Sequence, residues 1–165
     1  MSSLTIRKAY LNWVFWFFSG NIILFWLIGL HYLTVILPFN LAVPTFTNQF
    51  LAWLFLLSAY LGQLGLFGCI AAILPTLLVF LRLKKSLIFS ISLIIAFVFA
   101  WLLCLDTFVF SQYRFHLNGV IWSLVTSGQT NEFFDLSWLE WLSIGLLSAF
   151  LLTLEIGLAL FVWKK

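Results

Sequence analysis

The chain has 165 residues, of which 64% are hydrophobic, 20% aromatic and only 8% charged, and its mean hydropathy is +1.16. A soluble domain of this length could not bury so much apolar surface, so the composition excludes one and indicates an integral membrane protein. The net charge of +3 does not indicate a nucleic-acid partner, because the basic residues cluster at the ends of apolar runs, where they act as topology signals.

Long apolar runs predict an all-α integral membrane protein with four transmembrane helices. No Asp, Glu, Lys or Arg occurs in residues 9–81 or 86–105, and residues 141–163 contain a single charge, Glu155. Because a spanning helix needs roughly 20 apolar residues, the chain has room for four. We predict a single transmembrane domain over residues 1–165, with spans at about residues 13–37, 50–81, 87–105 and 139–163.

The first span follows Arg7 and Lys8, as the apolar core of a signal peptide would. Its apolar run is too long for such a core and lacks a small-x-small cleavage site, so we interpret it as a retained anchor. Asn21 and His31 are its polar members. Since His31 lies near the far end of this span, we expect its side chain to be hydrated or hydrogen-bonded at the membrane interface rather than to act as a ligand.

The second span carries small residues at helical spacing, Gly62, Gly65 and Gly68, followed by Pro75. Faces of small residues let membrane helices approach closely, although the general abundance of glycine in such helices explains the pattern nearly as well. Because Pro75 cannot donate a backbone hydrogen bond, it predicts a kink.

The two cysteines, Cys69 and Cys104, both fall inside apolar runs and form neither a CxxC pair nor a metal-ligand spacing. Buried, reduced and inert thiols are therefore expected, and no metal, redox or cofactor site is predicted.

A segment of mixed character, about residues 106–138, separates the third and fourth spans. Apolar and aromatic residues alternate with polar ones there, which predicts one or two amphipathic pieces lying at the membrane interface. Near its end, Ser137 and Glu140 predict a capping box at the start of the fourth helix, with Asp135 as an alternative cap.

The basic residues predict the orientation of the chain. Seven of the eight lie on one side of a four-span topology: Arg7, Lys8, Arg82, Lys84, Lys85, Lys164 and Lys165. By the positive-inside rule that side is the cytoplasm, so both termini are expected there. The segment at about residues 106–138 is then periplasmic.

Four polar residues, Asp106, Arg114, His116 and Asn118, with Trp122 just beyond them, form a candidate polar site. A functional interpretation makes them a site for a lipid headgroup or a partner, whereas a structural one pairs Asp106 with Arg114 where the chain re-enters the bilayer. We favour the structural interpretation, because no second carboxylate, metal cluster or nucleophile stands beside them. No catalytic residue is predicted.

Glu155 lies well inside the fourth span. An acid within the hydrocarbon is costly, and it usually faces the bundle interior or a partner. It could be protonated, paired within the bundle, or paired with a basic group on another protein. We therefore treat Glu155 as a candidate helix-partner contact, together with Gly62, Gly65 and Gly68.

Motifs spread over nearly the whole chain, from about residue 10, carry a family resemblance. Leu105, Asp106, Phe110, Arg114, His116, Leu117, Asn118 and Trp122 follow one another in the family's order, supported by Asn21, Gly29, Tyr32, Leu33, Pro75, Leu154 and Glu155. This pattern resembles the N-terminal transmembrane region of the YejM/PbgA/LapC family of inner-membrane regulators of lipopolysaccharide synthesis. Gly119 departs from it, since the family typically has proline there.

The resemblance implies a regulatory module of the bacterial inner membrane rather than an enzyme. In that family the membrane part engages the membrane-anchored adaptor LapB. This engagement restrains the protease FtsH from degrading LpxC, the deacetylase that commits precursors to lipopolysaccharide. Membrane lipid, such as lipopolysaccharide or cardiolipin, is the other implied partner. The alternatives are the membrane anchor of a sulfatase-like or alkaline-phosphatase-like lipid-headgroup transferase or hydrolase, and a remnant without activity.

The end of the sequence also bears on these expectations. The family continues through a fifth span and a basic linker into a large periplasmic domain, whereas this sequence stops at Lys165. A fragment, a split gene and a reduced homologue are the three interpretations that this leaves open.

Overall fold

Four long helices make up the described part of this computed structural model, which comprises residues 3–36, 46–114, 116–117 and 137–164. They are α1 (Ser3–Ile36), α2 (Phe46–Phe80), α3 (Lys85–Tyr113) and α4 (Trp138–Trp163). Each is long and apolar enough to cross a membrane. The predicted all-α architecture with four spanning helices is therefore confirmed.

Helix α1 is central to the bundle and contacts each of the other three helices. Its buried stripe repeats every fourth residue, through Trp13, Phe17, Asn21 and Phe25, because residues four apart lie on one face of an α-helix. Helix α3 also contacts the other three. Among the described residues α2 and α4 do not touch each other, so they flank the α1–α3 pair.

The turn between α2 and α3 depends on Arg82, which adopts a left-handed backbone conformation with φ of 56°. The N–H of Leu83 donates to the carbonyl of Leu78 at 3.3 Å, and the N–H of Arg82 donates to that of Val79 at 3.2 Å. This pair of bonds is a Schellman motif, which satisfies the last carbonyls of α2.

The start of α4 shows the predicted capping box. The backbone N–H of Glu140 donates to the Ser137 hydroxyl at 3.4 Å, and the N–H of Ser137 donates to the Glu140 carboxylate at 2.7 Å. These two bonds satisfy donors that a helix start otherwise leaves free. Ser137, rather than Asp135, is therefore the cap.

The basic residues gather at one end of the bundle, which we call the basic end: Arg7, Lys8, Arg82, Lys84, Lys85 and Lys164. The Arg7 guanidinium lies 4.1 Å from the ring centre of Phe80, and the Lys85 amine lies 3.7 Å from that of Trp163. These contacts join the start of α1 to the end of α2, and the start of α3 to the end of α4. Lys165 lies outside the described residues. Which side of the membrane this end occupies stays a prediction.

Helix α3 continues to Tyr113, past its predicted end at residue 105. The helix can continue because its polar residues find partners: Asp106 bonds to Tyr32 of α1, and the Thr107 hydroxyl donates to the Cys104 carbonyl at 2.8 Å. Asp106 therefore lies on α3 and not in a segment that follows it. Residues 118–136, most of the predicted interfacial segment, lie outside the described part of the chain.

Two further expectations concern α2. The helix runs unbroken through Pro75, and a bend there stays a prediction. The expectation that both cysteines are buried is wrong for Cys69, whose side chain is exposed on the outer side of α2, while Cys104 is partly buried. A thiol on a lipid-facing surface is compatible with the bilayer because Cys behaves as a small hydrophobe.

Candidate functional site

Asp106 lies at the centre of a polar cluster formed by Tyr32, Asp106, His116 and Leu117, which we call the Asp106 cluster. The Tyr32 hydroxyl donates to Asp106 Oδ2, and His116 Nδ1 contacts the same oxygen at 2.7 Å. The backbone N–H of Leu117 donates to Asp106 Oδ1. One carboxylate therefore joins α1, α3 and the chain that follows α3.

A reversal of the chain at Arg114 brings His116 and Leu117 back onto α3. Arg114 ends the helix in the left-handed region with φ of 62°, and its N–H donates to the Phe110 carbonyl at 3.0 Å. The His116 ring then stacks on Phe110, with 4.6 Å between ring centroids and 18° between planes. Stacking and the Asp106 contact together fix the imidazole, although its side chain is 62% exposed.

Below the Asp106 cluster, a cavity of about 530 Å³ lies between α1, α2 and α3. We call it the α1–α3 cavity. Its walls are mostly apolar, and Asp106, His116 and Gln63 add polar groups. The apolar lining includes Leu33, Leu56, Ala59, Leu64, Phe67, Leu102, Leu103 and Phe110. A largely apolar cavity with a few polar groups is the usual form of a small-molecule site.

The structure describes part of the predicted polar site. It brings Asp106 and His116 together, while Arg114 is exposed at the end of α3. The ion pair between Asp106 and Arg114 stays a prediction, and Asn118 and Trp122 lie outside the described residues. Tyr32 is a member of the cluster that the sequence did not predict, because a tyrosine at the end of a span is typical of the interfacial aromatic belt.

The contact between Asp106 and His116 defines the chemistry that the cluster offers. An ionised carboxylate can only accept, so the hydrogen bond assigns a proton to Nδ1. In a neutral ring the other nitrogen, Nε2, is then an acceptor. The cluster therefore presents a carboxylate, aromatic faces and an imidazole acceptor at the mouth of an apolar cavity.

Glu155 occupies a second polar position, in the interior of the bundle. Its side chain is completely buried, as is that of Asn21 on α1, whose amide faces the Glu155 carboxyl group. Both carboxyl oxygens and Asn21 Oδ1 lack a hydrogen-bond partner within the described structure. The outer surface of α4 is therefore formed by other residues, and contact between Glu155 and a partner helix stays a prediction that requires the bundle to open.

The three candidate glycines of α2 divide into two groups. A Cβ added at Gly68 would lie 2.3 Å from Cγ1 of Ile22, so Gly68 provides the close approach between α1 and α2. A Cβ added at Gly62 or Gly65 would meet nothing within 4 Å. These two glycines share the outer side of α2 with Ser58 and Cys69.

Comparison with known proteins gives the chain a family. A family model described as "Domain of unknown function (DUF3413)" matches residues 2–165. Two relatives, each named "Inner membrane protein YejM" and found in Salmonella typhimurium and Salmonella typhi, are both 29% identical over 159 residues, or 93% of this chain. The match covers only the N-terminal 24% of each relative.

The membrane location follows from two findings. The relatives are named inner membrane proteins, and the described helices include four able to span a bilayer, so the chain is a multi-pass protein of the bacterial inner membrane. With a match over residues 2–165, the chain belongs to the DUF3413 family, the family of the YejM N-terminal membrane domain.

Proposed function

We propose that this chain is a non-catalytic regulatory module that binds a transmembrane helix of an adaptor protein along the outer side of α2. The observation that supports it most is a stripe of small residues, Ser58, Gly62, Gly65 and Cys69, which we call the α2 stripe. Ser58, Gly62 and Cys69 are exposed, and Cβ atoms added at Gly62 and Gly65 meet nothing within 4 Å.

The position of α2 in the bundle makes the α2 stripe available. A neighbouring face of α2 packs on the bundle through Leu64, Gly68 and Ala71, which are buried. Helix α4 does not touch α2 within the described residues, and the α2 stripe is bordered by α1 at Cys69 and is exposed at Ser58 and Gly62. Small residues are favoured where helices meet in lipid, since they let two backbones approach and gain van der Waals contact.

The identity of the adaptor is supported by family membership alone. The chain belongs to the family of the YejM N-terminal domain, and the resemblance described above implies the membrane-anchored adaptor LapB. Binding of LapB would limit the FtsH-dependent degradation of LpxC. This module would then act by occupying an adaptor helix, without a chemical step of its own.

The proposal predicts that a bulky side chain in the α2 stripe blocks the adaptor and leaves the bundle intact. Gly62→Leu and Gly65→Leu place leucine where space is open, so they should remove the close approach while the fold is retained. We expect about a tenfold loss of LapB recovered with the purified membrane protein, equivalent to roughly 1.4 kcal/mol. The matched control is Gly157→Leu, at an exposed glycine of α4 that also has open space around it.

A second measurement links binding to regulation. In a strain depleted of its own regulator, residues 1–165 should slow the loss of LpxC, and the two α2 variants should not. Equal LapB recovery with all three variants would exclude the α2 stripe as the docking surface. Failure of the unaltered chain to recover LapB or to preserve LpxC would reject the regulatory proposal and favour the membrane-anchor alternative.

A further inference from the structure

The mouth of the α1–α3 cavity combines a carboxylate with aromatic rings. Tyr32 and Phe110 lie 5.4 Å apart between centroids, and Tyr32 is 5.4 Å from the His116 ring. All three rings line the cavity beside Asp106. Aromatic faces and a carboxylate both attract cations, and aromatic faces are a common means of recognising quaternary ammonium groups. A preference for a primary ammonium group therefore requires acceptors for its N–H donors.

The hydrogen bonds within the Asp106 cluster are compatible with attraction of a cation to the Asp106 carboxylate. Tyr32 and the Leu117 amide are neutral donors, and His116 is one when its ring is neutral. These three bonds therefore add no positive charge to an ionised Asp106, whose side chain is only 17% exposed. With Nδ1 directed to Asp106, Nε2 of neutral His116 can accept a hydrogen bond from a ligand. The mouth is therefore complementary to a cation that carries N–H donors.

The rest of the cavity is suited to a hydrocarbon chain. On α2 its lining extends from Leu56 to Phe67, which corresponds to roughly 16 Å along the helix axis. The volume of about 530 Å³ falls within the range of roughly 300–1,000 Å³ found for ligand sites. An amphiphile with a long apolar tail and a small headgroup that ends in an ammonium group fits both parts.

We infer that the α1–α3 cavity binds one phospholipid whose headgroup carries a primary ammonium group, as in phosphatidylethanolamine. The ammonium group lies between the Asp106 carboxylate, the His116 ring and the faces of Tyr32 and Phe110, and one acyl chain enters the cavity. This site is formed by the inner side of α2 together with α1 and α3. It does not depend on adaptor binding at the α2 stripe.

The test compares three lipids that differ in the headgroup. The full chain is placed in nanodiscs containing equal parts of phosphatidylethanolamine, phosphatidylcholine and phosphatidylglycerol, and the lipids retained on the released protein are counted by native mass spectrometry. We expect one phosphatidylethanolamine to be retained at least about tenfold over either competitor. Choline has a cation without N–H donors, and glycerol has hydroxyl donors without a cation, so each lacks one of the required features.

Three variants locate the site. Asp106→Asn removes the charge, and His116→Phe keeps a ring on Phe110 without a nitrogen, so both should reduce the preference about tenfold. Ala59→Phe fills the apolar part of the cavity and should abolish retention of the lipid while the Asp106 cluster is kept. The matched control is His31→Phe, at the other histidine of the chain, which is exposed on α1.

A thermal unfolding transition first shows that each variant is folded. The lipid results can then be interpreted. Equal retention of the three lipids would mean that the protein carries only annular lipid, and a preference for phosphatidylglycerol would mean that the head site recognises an anion or hydroxyl groups. Unchanged retention in Ala59→Phe would place the lipid elsewhere. Each of these three results overturns the inference. The proposed function has separate readouts, because its variants lie on the outer side of α2.

Discussion

Glu155 of α4 and Asn21 of α1 face each other inside the bundle, where both side chains are completely buried. The Asn21 amide nitrogen donates to the Phe17 carbonyl at 3.2 Å, while Asn21 Oδ1 and both oxygens of Glu155 are unpaired in the described structure. One proton on Glu155 would allow its O–H to donate to Asn21 Oδ1. Because an ionised acid in this position would be costly, we expect Glu155 to be neutral in the folded bundle.

This expectation leads to opposite predictions for two substitutions. Gln in Glu155→Gln is neutral, has nearly the same shape and can donate an N–H to Asn21, so stability should be unchanged or higher. Glu155→Ala leaves a cavity and an unpaired Asn21 oxygen, so we expect a loss of about 1–3 kcal/mol. Thermal unfolding in detergent checks both, with Leu146→Ala as the exposed control on α4, where leucine is 64% exposed.

The contrary result would be a Glu155→Gln variant that is less stable than Glu155→Ala. That order would mean that the negative charge itself contributes to the bundle. It would also revive the interpretation in which Glu155 is paired with a basic group of another protein.

At the level of single residues, the sequence predicted the important ionisable groups but not their partners. Asp106, His116 and Glu155 stand out because acids and histidines are rare in an apolar chain. Tyr32 is 74 residues away from Asp106, and only the packing of α1 against α3 brings the two together. Distance from the basic ends did not pair Asn21 with Glu155 either, since Asn21 lies 13 residues after Lys8 and Glu155 lies 9 residues before Lys164.

Helices α1 and α2 are joined by reciprocal hydrogen bonds and by close contacts at glycine. The Trp26 indole N–H donates to the Leu61 carbonyl at 3.2 Å, and the Tyr60 hydroxyl donates to the Trp26 carbonyl. A Cβ at Gly29 would lie 2.4 Å from Leu64 Cδ1. Polar side chains and small residues are the two features that hold helices together in lipid, where the hydrophobic effect contributes little.

The glycines of α2 show what helical periodicity can and cannot predict. Spacing predicted that helices could approach at all three small residues, and the structure shows such an approach at Gly68, whereas partner contact at Gly62 and Gly65 stays a prediction. Gly68 faces Ile22 of α1, whereas Gly62 and Gly65 face outward. The difference depends on the rotation of α2 about its own axis, which is set by packing and not by composition.

The difference between inner and outer glycines predicts different effects for the same Gly→Ala substitution. Gly68→Ala introduces a Cβ 2.3 Å from Cγ1 of Ile22, so it should destabilise the bundle by about 1–3 kcal/mol through overpacking. Gly29→Ala places a Cβ 2.4 Å from Cδ1 of Leu64, the end of a flexible side chain that can move, so we expect a smaller loss there. Gly62→Ala and Gly65→Ala have open space and should be neutral or slightly stabilising, since alanine favours helix. The midpoint of thermal unfolding, followed by size-exclusion chromatography, measures all four. Equal losses at the inner and outer glycines would contradict the described packing.

The whole molecule has two chemically distinct ends. The start of α1, the end of α2, the start of α3 and the end of α4 form the basic end, where Arg7 and Lys85 lie on aromatic rings. The Asp106 cluster and the capping box of Ser137 and Glu140 lie at the opposite end. The sequence could predict this separation, because charge position along the chain and the number of spans determine it without any knowledge of packing.

The charge difference between the two ends predicts the orientation, and labelling of single cysteines tests it. In a background with Cys69→Ser and Cys104→Ser, we expect a membrane-impermeant maleimide to label Thr34→Cys in intact spheroplasts, because Thr34 is exposed near the Asp106 end. Lys84→Cys, exposed at the basic end, should be labelled only after the membrane is permeabilised, since retention of basic residues on the cytoplasmic side sets topology. The reverse labelling pattern would mean that the protein has the opposite orientation in the membrane. In that case the Asp106 cluster would face the cytoplasmic leaflet, and the lipid that occupies the α1–α3 cavity would have to come from that leaflet.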